Sequence, residues 1–389
     1  MQITLRGITW DHTRGFDPMV ATARAYAQAH PDVHIDWERR SLQAFADAPV
    51  EELAQRFDLL VIDHPHVGQV AQSRCLLSLD GVGHDDELAD LMANTIGGSQ
   101  ASYVYDGHTW ALAIDAAAQI AAYRPDRITT PPSQWEEVIE LAAKGRVLWP
   151  IKPVDALMSF FTLCANRGTP CRTDTTGERL IDPDIGQQVL ENMLRLARHM
   201  PRACLSMNPI ETFEMLSSSN HFWYCPLAYG YTNYCREGYR ATRLMCADIP
   251  AIGDAGPAGS TLGGTGLAIS AHCRHADIAM DYAFFVARGD TQASLYFDAG
   301  GQPAHRRAWE DPRCDDIANG FFHRTRATMD RVYLRPRYDG YLDFQDRGGT
   351  ILNECLGGLI DPRNAMRLLE EAYQSSLPRH SPSVRTTAR

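Results

Sequence analysis

Asp63, His64 and His66 stand together where an apolar run ends, in the stretch Phe57 to Gly68, FDLLVIDHPHVG. A carboxylate beside two imidazoles can hydrogen-bond a polar ligand, hold a metal or move a proton as an acid–base pair. Two histidines two apart on an irregular loop lack the better-defined spacing of a zinc site, so no metal is expected. A structural role for all three stands beside these readings. A second cluster, Trp10-Asp11-His12-Thr13-Arg14, offers an aromatic platform with Asp11 and Arg14 to pair charged or hydroxyl groups. Its plain alternative is a solvated turn in which Arg14 bonds Asp11.

Five aromatics crowd into twelve residues: Trp223, Tyr224, Tyr229, Tyr231 and Tyr234. Flat aromatic faces suit sugar rings, aromatic acids or cations, although Trp223 and Tyr229 also fit a core. Tyr224, Tyr229 and Tyr231 are the cleft candidates. Gly263-Gly264-Thr265-Gly266 leads into a strand and lacks a following Lys-Ser/Thr, which excludes a P-loop. A ligand approaching the backbone at Gly264, with Thr265 offering its hydroxyl, competes with a simple bend. Asp115 is the remaining carboxylate candidate. Cys225 becomes a nucleophile only if a neighbouring His or Asp lowers its pKa, and a buried free thiol is its plain reading. Arg335, Arg337 and Tyr338 can bind an anion or hold the C-terminal segment against the sheet.

The elements that must position these groups follow from periodicity. Residues 2–9 read as a first strand, and Asp17 with Pro18 as the start of a helix that His30-Pro31 stops. Val33 to Trp37 is a second strand, Val50 to Gln55 a short helix, and Leu59 to Ile62 an unalternating third strand of the kind covered on both faces. This β-α-β-α-β opening predicts a parallel, doubly wound sheet, with Asp63 and Trp10 at the strand ends where α/β folds bind ligands. Asp106-Gly107 predicts a tight hairpin. Further strands are expected at 118–123, 147–149, 221–226 and 267–269. Helices are expected from Ser133 and over 154–166, 184–199, 209–217, 275–287 and 363–374.

At 389 residues, two domains are expected. A net charge of −11 argues against nucleic acid as partner, since a phosphate backbone needs a basic face. No apolar run approaches the roughly 20 residues of a membrane helix. Ten scattered cysteines without a C-x-x-C pair fit a reducing cytoplasm. The strand beginning directly after Met1 leaves no visible export signal, so the expected location is cytoplasmic as written, or periplasmic if a signal has been removed.

The order of these pieces resembles the extracellular solute-binding proteins of bacterial ABC transporters, in the family of maltose- and other sugar-binding receptors. The resemblance rests on the strand-helix start, FDLLVIDHPHVG, YDGHTWALAID, AAYRPDRI, PPSQWEE, GGTGLAISAHCRHADIAMDYAFFVAR and GGQPAHRRAW, and covers residues 1 to about 375. It departs from the family in lacking an export signal and in placing Ala113 where proline is usual. What it implies is an α/β, two-lobed periplasmic-binding-protein-like fold, hinged by crossing strands, that closes on one small molecule. Lobe 1 would comprise residues 1–115 plus about 265–320, and lobe 2 about 120–262 plus parts of 321–375, with 376–389 a disordered tail.

The resemblance therefore implies capture of a small polar organic ligand, a sugar or related solute, by a monomer that can serve an ABC transporter permease and needs no cofactor. The contacts would come from Trp10, Asp11, His12, Arg14, Asp63, His64, His66, Asp115, Tyr224, Tyr229, Tyr231, Gly264 and Thr265. The competing reading is a cytoplasmic enzyme on the same bilobal scaffold, which thiaminase resembles, using Asp63, His64, His66 or Cys225.

Overall fold

The computed structural model describes residues 2–41, 49–177 and 179–378. The expected disordered tail therefore falls, from residue 379 on, outside the described residues. Nine strands are described: β1 (Ile3–Trp10), β2 (Val33–Arg40), β3 (Leu59–Ile62), β4 (Val104–Tyr105), β5 (His108–Thr109), β6 (Leu112–Tyr123), β7 (Tyr224–Tyr229), β8 (Met245–Ala247) and β9 (Leu262–Ile269). The described helices of nine or more residues are α1 (Thr13–Ala29), α2 (Asp85–Asn94), α3 (Trp135–Ala143), α4 (Pro153–Asn166), α5 (Pro183–Ala197), α6 (Pro209–Ser218), α7 (Ala276–Ala287), α8 (Tyr341–Leu356) and α9 (Pro362–Ser376).

The main sheet runs β2-β1-β3-β9-β6-β7, with β8 also on β6. The parallel opening is present, since β1 pairs with both β2 and β3 in parallel. Beyond β3 the sheet is mixed, because β9 inserts antiparallel between β3 and β6. All four residues of β3 are buried, as their unalternating sequence requires of a strand covered on both faces.

β6 joins the two halves of the molecule. Its first half pairs with β9 and its second with β7 and β8. Buried apolar side chains fall into two clusters. Ala116, Ala118, Ile120 and Ala122 of β6 face the first, whereas Ala121 and Tyr123 face the second. The first cluster collects most buried apolar side chains up to Ala122 and from Leu262 to Met329, and also takes Tyr231, Tyr234, Cys235 and Cys246 from the stretch expected in lobe 2. The second gathers α3, α4 and α5 with α8 and α9. The segment expected as a separate strand at 118–123 is thus the continuation of 112–117.

Four further expectations change. Helix α1 begins at Thr13, not after Asp17, because the His12 imidazole caps it: Nδ1 accepts from the Arg14 amide at 3.0 Å. Arg14 therefore lies in a first turn rather than a loop. Val147–Trp149 makes a single bridge to Tyr224 instead of a strand. The strand expected at 221–226 runs from Tyr224 to Tyr229. Helix α8 carries Gly348-Gly349 in its interior, where helix propensity is poor. A Cβ on Gly349 would lie 2.5 Å from the Pro153 carbonyl oxygen, so the glycine lets α8 close against the start of α4. The expected Asp106-Gly107 hairpin is in place between β4 and β5.

Candidate functional site

A cavity of about 480 Å³ opens between the two apolar clusters. The sheet supplies one wall: Trp10 from the end of β1, Asp63 after β3, Asp115 and Ala117 from within β6, Tyr229 and Tyr231 from the end of β7 and just after it, and Gly263 to Thr265 from β9. Helix starts supply the other: Lys152 to Asp155 at α4, Asn208 and Pro209 at α6, and one face of α8 with Leu342, Gln345, Asp346 and Thr350. Leu342, Asp346 and Thr350 recur every four residues, the spacing of a single helical stripe, with Gln345 beside it.

Two ion pairs frame the cavity, the first buried and the second partly so. Arg14 grips Asp115 with both prongs, Nε to Oδ2 at 2.7 Å and Nη2 to Oδ1 at 2.5 Å, and its Nη1 donates to the Gly230 carbonyl at 2.6 Å. Burial pushes the Asp115 carboxyl up while Arg14 draws it back, and Asp115 in turn holds the proton on Arg14. The bidentate geometry keeps both charged. The guanidinium carbon lies 4.7 Å from the Tyr231 ring centre and 5.8 Å from that of Trp10. Gly264 makes this possible: its φ is +113°, and a Cβ there would lie 2.3 Å from the Asp115 carbonyl oxygen.

The second pair is Asp63 with Arg335, Oδ2 accepting from Nη2 at 2.6 Å. Burial raises the Asp63 carboxyl, but Arg335 and His64 outweigh it and hold it well below the usual carboxylate range. Gln345 accepts from Arg335 Nη1 at 3.1 Å. Arg335 thus holds Asp63 while lining the cavity itself, with its Nε buried without a hydrogen-bond partner among the described residues.

Of the expected contact residues, Trp10, Arg14, Asp63, His66, Asp115, Tyr229, Tyr231, Gly264 and Thr265 line the cavity. Asp11 does not; it is exposed and pairs with Arg39 at 3.2 Å. His12 stacks on Trp10 at 5.4 Å and meets Tyr231 edge-on at 5.0 Å, so it steadies two lining rings without joining them. His64 sits behind Asp63, edge-on to Tyr103, with its pKa lowered to about 4 by burial first and Arg335 second. Burial likewise lowers His66 to about 4. Neither imidazole is charged at neutral pH.

Tyr224 is corrected too, and Cys225 takes its plain reading as a buried free thiol. Alternation along β7 turns Tyr224 into the second cluster and Cys225 into the first. Cys225 is fully buried, and burial pushes its thiol well above the ordinary range, the reverse of what a nucleophile needs.

Asp155 is the residue that sequence reasoning missed. It is 3 % exposed, and its Oδ2 has no hydrogen-bond partner among the described residues. Burial pushes its pKa up to about 8, with Lys152 pulling back and Glu211 adding to the rise. The signal was one acid in the otherwise apolar opening of α4, Pro-Val-Asp-Ala-Leu-Met. Tyr229 Oη is also buried without a partner among the described residues. Such atoms cost free energy unless something bonds them.

A larger groove of about 1240 Å³ lies between residues 169–183 and 332–338. Three of its arginines are already engaged: Arg335 on Asp63, Arg337 on the carbonyls of Ala101, Ser102 and Val104, and Arg172 on Asp174. Asp155 and Tyr229, with their unpartnered oxygens, line the smaller cavity and not this groove. Among the described residues, no helix is long and apolar enough to cross a membrane.

Solved structures of similar shape are two-lobed sugar-binding proteins. The maltose-bound MalE3 of T. maritima matches over 96% of this chain and 98% of its own, at 17% identity and a TM-score of 0.78. A solute-binding protein of an ABC transporter from Thermotoga lettingae, bound with α-D-tagatose, matches over 97% and 100%, at 16% identity and 0.82. One from Agrobacterium radiobacter, in complex with ribitol, matches over 96% and 98%, at 16% identity and 0.76. The family model described as bacterial extracellular solute-binding protein matches residues 21–312. With that match spanning most of a chain whose two apolar clusters enclose a polar, aromatic-walled cavity, this protein belongs to the bacterial extracellular solute-binding family.

Proposed function

We propose that the chain captures a sugar or polyol in the 480 Å³ cavity and delivers it, as a monomer outside the cytoplasm, to an ABC transporter permease. The extracellular family runs against the cytoplasmic location that ten scattered cysteines suggest. Residues 1–115 plus about 265–320 form lobe 1 in this reading, and about 120–262 plus parts of 321–375 form lobe 2. The lobes close on the ligand about β6 and its neighbours.

The observation that carries the reading is the pairing of aromatic faces with unanswered hydrogen-bonding atoms. Trp10, Tyr229 and Tyr231 offer flat apolar area, while Tyr229 Oη and Asp155 Oδ2 await partners that ligand hydroxyls supply. Both arginines are held by carboxylates, so the cavity presents paired charges suited to hydroxyl groups. Maltose, tagatose and ribitol in the similar structures are molecules of this kind.

A thermal-shift screen over mono- and disaccharides, polyols and carboxylates tests it. At a hundredfold excess over Kd a ligand contributes about 2.7 kcal/mol to the native state. A melting temperature raised by at least one sugar or polyol supports the reading. A screen in which only carboxylates raise it, or nothing does, overturns it.

A further inference from the structure

Four carboxyl side chains line the cavity among the described residues: Asp63, Asp115, Asp155 and Asp346. Three basic ones, Arg14, Lys152 and Arg335, line it with them. Arg14 is bound through both prongs to Asp115, and Arg335 is bound to Asp63. Of the carboxyl groups left, Asp155 is the one with an oxygen, Oδ2, that is buried without a hydrogen-bond partner among the described residues.

We infer that Asp155 selects, within the sugar or polyol binding proposed above, for a ligand that carries a basic nitrogen, an amino sugar or amino polyol whose ammonium it receives. The inference rests on that reading and deepens it. A hydroxyl can satisfy Oδ2 with one neutral bond, but a charge-assisted bond to an ammonium is roughly twice as strong. The ammonium would also offset a negative charge that burial otherwise makes costly.

The groups facing Asp155 set the proton balance. Lys152 precedes it by three residues and favours its ionised form, whereas Glu211 on α6 opposes it. Tyr229 and Tyr231 feel its charge across the cavity. Asp63 and Arg335 compensate each other, His66 is neutral, and Asp346 and Lys152 are lining charges of opposite sign. Burial leaves the carboxyl protonated at neutral pH, its pKa standing near 8. On binding, the ligand arrives already as an ammonium, Asp155 gives its proton to solvent, and N–H donates to the carboxylate left behind. No other bond is made or broken.

Calorimetric titration of the full chain with matched pairs, glucamine against sorbitol and glucosamine against glucose, tests this. The amine of at least one pair is expected to bind about tenfold or more tighter than its neutral partner. Titrating glucamine at pH 7 in two buffers of different ionisation heat is expected to show release of close to one proton, on the wild-type chain and so independent of any variant's folding. Asp155→Asn is expected to bring the affinity ratio to about one and abolish the release. Neutral partners binding as tightly as their amines, or amine binding without proton release, overturns the role of Asp155 and leaves sugar binding standing. No heat from any of the four, with no shift in the wider screen, overturns the sugar reading itself.

Discussion

Arg335 Nη2 donates to Asp63 Oδ2 at 2.6 Å across 272 positions of chain, so the turn after β3 and the segment leading into α8 are held by one partly buried ion pair. Removing the cation would leave a largely buried carboxylate without its partner, which costs about 3 kcal/mol or more. Arg335→Met is therefore expected to lower the urea midpoint clearly. The double variant Arg335→Met with Asp63→Leu is expected to recover much of that loss. An Arg335→Met midpoint equal to wild type would show that the pair does not hold the two segments together.

Acid should unfold the protein in two stages. His12, His64 and His66 have folded pKa values near 4, each lowered first by burial. The unfolded chain takes up protons at these sites below about pH 6.5 while the folded chain does not, so protons favour unfolding between about 6.5 and 4. Asp63, depressed in the fold, contributes stability above the ordinary carboxylate pKa that is lost as pH falls towards its folded value. Denaturant midpoints measured from pH 8 to 3 should decline already above pH 5. A flat profile down to pH 5 would show that these histidines charge freely.

Gly264→Ala is expected to destabilise by about 2 kcal/mol or more, since it adds an atom 2.3 Å from the Asp115 carbonyl oxygen at a φ of +113°. Because Asp115 must shift to admit it, ligand affinity should fall as well. Thermal melts and titrations check both, and a near-neutral melt would mean that β6 and β9 pair less closely than described.

Cys225→Ala should cost about 1 kcal/mol of stability, from lost packing, and leave ligand binding untouched. The thiol is fully buried in the first cluster and off the cavity. A binding defect at wild-type stability would return Cys225 to the site.

Much of this arrangement is legible in the chain, for reasons particular residues make clear. Leu59 to Ile62 betrays a doubly covered strand because nothing in it alternates, and the polar residues at its end then fall at the cavity. Trp10 follows from the same logic of strand ends, whereas Tyr229 follows from the crowding of aromatics and Thr265 from the glycine run beside it. Arg14 was placed on a turn because His12 is not an expected helix cap, yet its ring nitrogen performs that task. Tyr224 was misjudged because alternation along β7 turns its ring into the second cluster, while the plain reading of Cys225 as a buried thiol holds. The helix side of the cavity was invisible for a different reason. Asp155, Asn208 and Gln345 come from three helices whose convergence depends on tertiary packing, including the Gly349–Pro153 approach, and no local pattern encodes it.

The seat of the ligand is tested most directly by titrating wild type and Tyr229→Phe calorimetrically with whichever sugar or polyol raises the melting temperature most. Tyr229 Oη has no hydrogen-bond partner among the described residues, so the variant should melt within about 0.5 kcal/mol of wild type. Its affinity should nonetheless fall about tenfold, the worth of one hydrogen bond to the ligand. Equal affinity in the two proteins would put the ligand somewhere other than this cavity.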